Sequence, residues 1–139
     1  MKILIIGALP KDKIARELYE VLIEVSSKHG EIIGTPIDTA EFKGSSEERY
    51  KKAFDSIKDA DLLIAEASSP STGQGMEIRD AILQNKRIIV IAKKGSKISG
   101  LIIGSNAINK IIYYDNLNDL KEKIKEAIWD LRKMNKRYL

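Results

Sequence analysis

Asp61-Leu62-Leu63-Ile64-Ala65-Glu66 runs directly into Ala67-Ser68-Ser69-Pro70-Ser71-Thr72-Gly73-Gln74-Gly75-Met76-Glu77, and this passage decides the fold. Its first half is almost continuously apolar, the pattern of a strand covered on both faces. Its second half packs hydroxyls and glycines ahead of a helix-like segment, Gln74–Asn85. A buried strand that passes through a short loop into a helix is the repeating unit of a parallel α/β sheet.

Outward from that unit the same alternation recurs. Four more short runs rich in Ile and Val read as buried strands: Lys2–Gly7, Glu31–Thr35, Arg87–Ala92 and Lys110–Tyr114. Between them lie helix-like segments. Asp12–His29 carries Ile14, Leu18, Val21, Leu22 and Val25 at helical spacing, with Gly30 placed to end it. Ser45–Lys58 opens with Ser-Ser-Glu-Glu, a capping signature with acids in the first turn. Asn116–Lys136 places Leu117, Leu120, Ile124, Ile128 and Leu131 on one face. The expectation is one three-layer α/β/α domain over residues 1–139 with a five-stranded parallel sheet. Right-handed crossovers favour the order 2-1-3-4-5, flavodoxin- or Rossmann-like. Residues 36–45 and 93–109 are left as long connections, where function often sits.

Composition narrows the chemistry. The 139 residues contain no cysteine and a single histidine, His29. Disulfides, thiolate catalysis and Cys- or His-rich metal sites are excluded, and a Ser-His-Asp triad is disfavoured. No run reaches the roughly 20 apolar residues of a membrane span, and the opening is too short for a signal peptide, so the reading is cytoplasmic with no membrane partner. The net charge of +4 is concentrated at the end, where residues 119–139 hold seven Lys/Arg against four Asp/Glu. A basic last helix reads as a solvated face. No basic–aromatic cluster stands out, which speaks against nucleic acid. Tyr113 and Trp129 read as core or edge residues. No metal and no organic cofactor is implied.

In such sheets ligands bind outside the carboxyl ends of the strands at the switch in strand order, here expected between strands 1 and 3. The first turn, Gly7-Ala8-Leu9-Pro10-Lys11-Asp12, is neither a dinucleotide fingerprint nor a P-loop. It reads either as an ordinary strand–helix turn or as an anion-attracting helix start with Lys11 beside it. The second turn supports two readings as well. Ser71 and Thr72 can donate to an anion that Gly73 and Gly75 let approach the backbone, with Glu77 in the first helical turn aimed at the crevice. Alternatively Ser71 or Thr72 caps the helix and Glu77 complements its dipole.

The stretch Ala65-Glu66 followed by Pro70-Ser71-x-Gly73-x-Gly75-x-Glu77 resembles the nucleoside 2-deoxyribosyltransferase superfamily, and within it the 2′-deoxynucleoside 5′-phosphate N-hydrolases. Lys2-Ile3…Gly7, Tyr19, and Ile98-Ser99-Gly100-Leu101-Ile102-Ile103-Gly104 fit the same pattern, so the resemblance spans nearly the whole chain. It implies an N-glycosidase acting on a (2′-deoxy)nucleoside 5′-monophosphate. Glu77 would be the nucleophile at C1′, as in retaining glycosidases. Ser71 would hold the 5′-phosphate with backbone groups at Gly7, Ala8 and Leu9. Ser99, Gly100 and Leu101 of a second subunit would complete the site, which makes a homodimer the expected assembly. The family's aspartate, eight residues before Asp61, is Ala53 here, its first-strand tyrosine is Leu4, and its Ser-x-Arg reads Ala8-Leu9-Pro10. Lys11 then stands in for the arginine charge, and Asp38 or Glu66 for the carboxylate; Glu66 also reads as a structural acceptor for loop amides. Base exchange between nucleosides is the second reading. Nucleotide binding or sensing without catalysis is the third, and Ala53 and Leu4 favour it. A riboside 5′-monophosphate phosphoribohydrolase is the fourth, lacking its Pro-Gly-Gly run.

Overall fold

A computed structural model describes residues 1–138, with side chains through Met134. The basic side chains of Lys136 and Arg137 counted above therefore lie outside the described residues. The elements are β1 (Lys2–Gly7), α1 (Lys13–Ser27), β2 (Glu31–Gly34), α2 (Pro36–Glu41), α3 (Ser46–Asp59), β3 (Leu62–Glu66), α4 (Thr72–Leu83), β4 (Arg87–Lys93), α5 (Gly100–Ile103), β5 (Lys110–Tyr114) and α6 (Leu117–Tyr138). The strands form one sheet in the order β2-β1-β3-β4-β5, every pair parallel, as the alternation predicts.

Strand period divides the core in two. Ile3, Ile5, Leu62, Ile64, Ile89 and Ile91 pack with α1 and α6 on one face. Leu4, Ile6, Leu63, Ala65, Ile88 and Val90 pack on the other with Ile57 of α3 and Ile78 and Ala81 of α4. Successive side chains of a strand point to opposite faces, so a run covered on both sides is apolar at every position. In α6 the buried stripe is Leu120, Ile124, Ala127, Ile128 and Leu131.

Several details differ from the sequence reading. Ile14 is 79% exposed, so the buried stripe of α1 begins at Tyr19 rather than at its first turn. Gly30 does not end α1, whose C-cap is Lys28. A Cβ at Gly30 would lie 2.4 Å from the Met1 carbonyl oxygen, so glycine is needed there for close approach of the chain. Tyr113 lies on the edge strand β5, as read, whereas Trp129 is a surface residue with the Lys133 ammonium over its ring. The connection 36–45 contains α2, whose start was legible as Thr35-Pro36-x-Asp38: Thr35 and Asp38 form a capping box with Pro36 at the first helical position. Residues 93–109 contain the single turn α5. No helix among the described residues is long and apolar enough to cross a membrane.

Helix α3 is fastened unusually. It opens on the capping box Ser45–Glu48, as the sequence predicts, yet its one buried residue is Ile57, near its C-terminus. Its first three turns stand off the sheet, and a large cavity lies beneath them.

Candidate active site

The cavity measures about 1030 Å³. Its floor is Leu4 to Gly7 of β1 and the end of β2, its walls are α3 and the N-terminal half of α4, and α2 with the following loop closes one end. It thus lies at the carboxyl end of β1, displaced toward β2; β3 contributes through the loop and helix that follow it, not through its own residues.

Of the residues singled out from sequence, Gly7, Leu9, Ser71, Gly73 and Glu77 line this cavity together, and Leu4, Asp38 and Ala53 line it as well. Ala8, Lys11, Tyr19, Gly75, Ser99, Gly100 and Leu101 do not. Tyr19 is buried and donates its hydroxyl to the Ala8 carbonyl at 2.6 Å, directly beneath the first turn. A Cβ at Gly7 would come within 2.4 Å of that hydroxyl, so Gly7 and Tyr19 are matched in size. Burial, reinforced by the charge of Glu66, pushes the Tyr19 phenol upward and keeps it protonated.

The two helix starts near the site differ in charge. At α1 the cap is Asp12, whose carboxylate accepts from Ala15 N at 2.8 Å. A negative charge already satisfies that end, so it is a poor place for a second anion. At α4 the cap is the neutral Ser71, its Oγ accepting from Gln74 N at 3.3 Å, and the first turn holds no acid. Among the described residues the N–H groups of Thr72 and Gly73 have no partner. The N-terminus of α4 is therefore the end with free donors and an uncompensated dipole. Nothing lies within 4 Å of a Cβ at Gly73, so the backbone there is open to the cavity.

Because Ser71 caps it, α4 begins at Thr72, two residues before the expected start. Glu77 then falls in the second turn, not the first, and the dipole-complementing role is removed, since that effect fades beyond the first turn. The Glu77 side chain is half-buried, and among the described residues its carboxylate has no hydrogen-bond or ion-pair partner. Burial, with the charge of Asp80 as a second cause, pushes its carboxyl up to about 7.

The other acids are differently placed. Glu66 is 4% exposed and fully engaged: Oε1 accepts from Ser68 N at 2.6 Å and Oε2 from the Tyr114 hydroxyl at 2.6 Å. Its carbonyl accepts from the buried Gln74 amide at 2.7 Å, which ties the start of α4 to the end of β3. Glu66 thus holds the loop in shape. Asp38 is held by Thr35, accepting from its N–H at 3.0 Å and its hydroxyl at 3.1 Å. Asp80, three residues beyond Glu77 on the same helix, lines the cavity and was not singled out from sequence.

A second group escaped the sequence reading. Phe42 lies beneath the Arg49 guanidinium and the Lys52 ammonium, 5.6 and 4.8 Å from its ring centre. Tyr50 and Phe54 stack on each other with centroids 6.1 Å apart. All five line the cavity, so a basic–aromatic cluster does exist, assembled from two segments of the chain. Its signal was present as Tyr50, Ala53, Phe54 and Ile57 at helical spacing, a stripe that would ordinarily be read as core.

Known proteins resemble this chain to different degrees. A protein of Syntrophotalea carbinolica that carries the name 2′-deoxynucleoside 5′-phosphate N-hydrolase 1 is 31% identical over 136 residues, covering 92% of this chain and 94% of its own. The human 5-hydroxymethyl-dUMP N-hydrolase is 26% identical over 108 residues, 71% of this chain and 62% of its own. Among solved structures, the Clostridium botulinum CMP N-glycosidase superposes with a TM-score of 0.69 at 23% identity, over 89% of this chain and 98% of its own, a likeness of fold. No family model matches.

Proposed function

The chain belongs to the 2′-deoxynucleoside 5′-phosphate N-hydrolases of the nucleoside 2-deoxyribosyltransferase superfamily, and from that premise we propose that it hydrolyses the base–sugar bond of a (2′-deoxy)nucleoside 5′-monophosphate, releasing free base and the sugar 5-phosphate. The observation that carries the reading is the Glu77 carboxylate, half-buried and unpartnered in the cavity, two turns along a helix whose N-terminus offers free donors.

The chemistry follows the order of groups along α4. The 5′-phosphate sits against the Thr72 and Gly73 amides and the Ser71 hydroxyl, whose lone pair is used by the cap while its proton stays free to donate. Six residues on, about 9 Å along the helix axis, Glu77 meets C1′ of the sugar. Its oxygen attacks as the C1′–N bond breaks and the electron pair leaves with the base; the ester formed is then opened by water. A carboxylate in an apolar wall is poorly solvated, so it stabilises a developing oxocarbenium charge more strongly than it would in water.

Ser99, Gly100 and Leu101 belong to the proposal through a second copy. Leu101 is 89% exposed, and none of the three lines the cavity of its own subunit. In a homodimer they would complete the neighbour's phosphate site.

The test is to incubate the protein with a panel of ribo- and deoxyribonucleoside 5′-monophosphates beside Glu77→Gln and to follow free base by chromatography. Base release lost by about 10³-fold or more in the variant supports the reading. Release that survives in Glu77→Gln removes the nucleophile. Base exchange faster than hydrolysis would favour the transferase reading, and saturable binding without turnover would favour a sensor, for which Ala53 is the structural argument.

A further inference from the structure

We propose that Asp80 is the acid and base of the reaction, giving a proton to the leaving base and then taking one from the attacking water. The inference deepens the N-glycosidase reading and rests on it.

Four acids line the cavity: Asp38, Glu41, Glu77 and Asp80. Asp38 is consumed by the Thr35 capping box, and Glu41 pairs with Arg16 at 3.3 Å. Glu66, the other acid near the crevice, is held by Ser68 and Tyr114. Among the described residues Asp80 alone joins Glu77 in lining the cavity with a half-buried carboxylate that has no partner. The two stand three residues apart on one helix, where Cβ atoms lie about 5–6 Å from each other. Retaining glycosidases hold their two carboxyl groups about 5–5.5 Å apart, a separation within reach of side chains rooted at such neighbouring positions. The direction also fits. With phosphate at the helix start and C1′ over Glu77, the base lies one turn deeper, beside Asp80. Ala53 of α3, a methyl group without proton chemistry, lines the same cavity from a different wall.

The step balances. As a Glu77 oxygen bonds to C1′, the C1′–N pair passes into the base and the Asp80 proton neutralises it. The Asp80 carboxylate then removes a proton from water, whose oxygen bonds to C1′ while the ester pair returns to Glu77. Reactants are nucleotide and water; products are base and sugar phosphate, and both carboxyl groups are restored.

The test is Asp80→Asn, a near-isosteric change whose fold is checked by circular dichroism. On a nucleotide that the wild type cleaves, the variant is expected to lose about 100-fold or more in kcat. On a 4-nitrophenyl 2-deoxyriboside 5-phosphate, whose leaving group needs no proton, first bond cleavage should lose less than about 10-fold. Azide, which needs no base, should then yield the glycosyl azide and accelerate turnover. Ala53→Asp added to Asp80→Asn should restore part of the nucleotide activity by supplying a carboxyl from that wall. Equal loss on both substrates without azide rescue, or no loss on the nucleotide, overturns the proposal. A wild type that releases no base from any nucleotide, while Asp80→Asn behaves identically, overturns the N-glycosidase reading and the proposal with it.

Discussion

The Glu77 carboxyl sits in surroundings that favour its neutral form, and this has consequences for both stability and rate. Its pKa in the fold, about 7, lies above the ordinary value of 4.5. A raised carboxyl makes its full contribution to stability below pH 4.5 and loses it as pH climbs through 7. Glu77→Gln should therefore be the more stable protein at pH 8, by about 1–2 kcal/mol, with the gap closing below pH 4.5; thermal melts at the two pH values check it. For rate, Glu77 must be ionised to attack C1′, in a cavity that also presents Asp38, Glu41, Asp80, Lys43, Arg49 and Lys52. Nucleotide cleavage should therefore rise with pH as Glu77 ionises through about 7. In Asp80→Asn that rise should move to lower pH, because the Asp80 charge that helps to raise Glu77 is gone. Coincident profiles of kcat/KM in the two proteins would count against that coupling.

At the scale of elements, Ser71 performs two tasks that substitutions can separate. Ser71→Ala should cost about 1 kcal/mol through loss of the α4 cap and also weaken nucleotide binding. Ser71→Asp keeps a cap and should hold stability, measured by denaturant unfolding, while its charge repels phosphate and raises KM by about tenfold or more. Equal KM in wild type and Ser71→Asp would place the phosphate elsewhere. The same helix shows what could be read in advance. The sheet, its order and the stretch Ser71 to Glu77 were legible because buried parallel strands have no polar face and because a Ser-x-Gly-x-Gly loop has few uses. The turn number of Glu77 was not, since it depends on where the helix begins: a start at Gln74 puts Glu77 in the first turn, the observed start at Thr72 in the second. Asp80 and the Phe42–Arg49 contact were missed for a related reason. A single Asp on a helix and a single Phe in a loop carry no periodic signal, and what gives them meaning is the wall they face. Ile14 misled because helical spacing continues past the point where α1 still touches the sheet.

Across the whole molecule, α3 and α4 wall the cavity, and α5 lies outside it. If Ser99 serves a neighbour's site, two impaired variants should complement each other. Mixing Glu77→Gln with Ser99→Ala as equal dissociated subunits would leave about one quarter of all sites with both residues intact. Activity below saturation should then exceed the average of the two parents and approach that fraction of wild type. Mixtures that never exceed the parental average would assign Ser99 to its own chain.

That α3 buries a single residue, Ile57, has a further consequence. Ile57→Ala should cost about 3 kcal/mol, whereas the outer turns of the helix contribute little to global unfolding. Amide hydrogens between Ser46 and Phe54 should then exchange with solvent by local opening, well before those of β1 or β3. A nucleotide beneath α3 would act as the missing part of its packing, so bound ligand should slow exchange there most of all. The free protein would thus keep one wall of its reaction chamber in continual breathing, and the substrate itself would be the wedge that stills it.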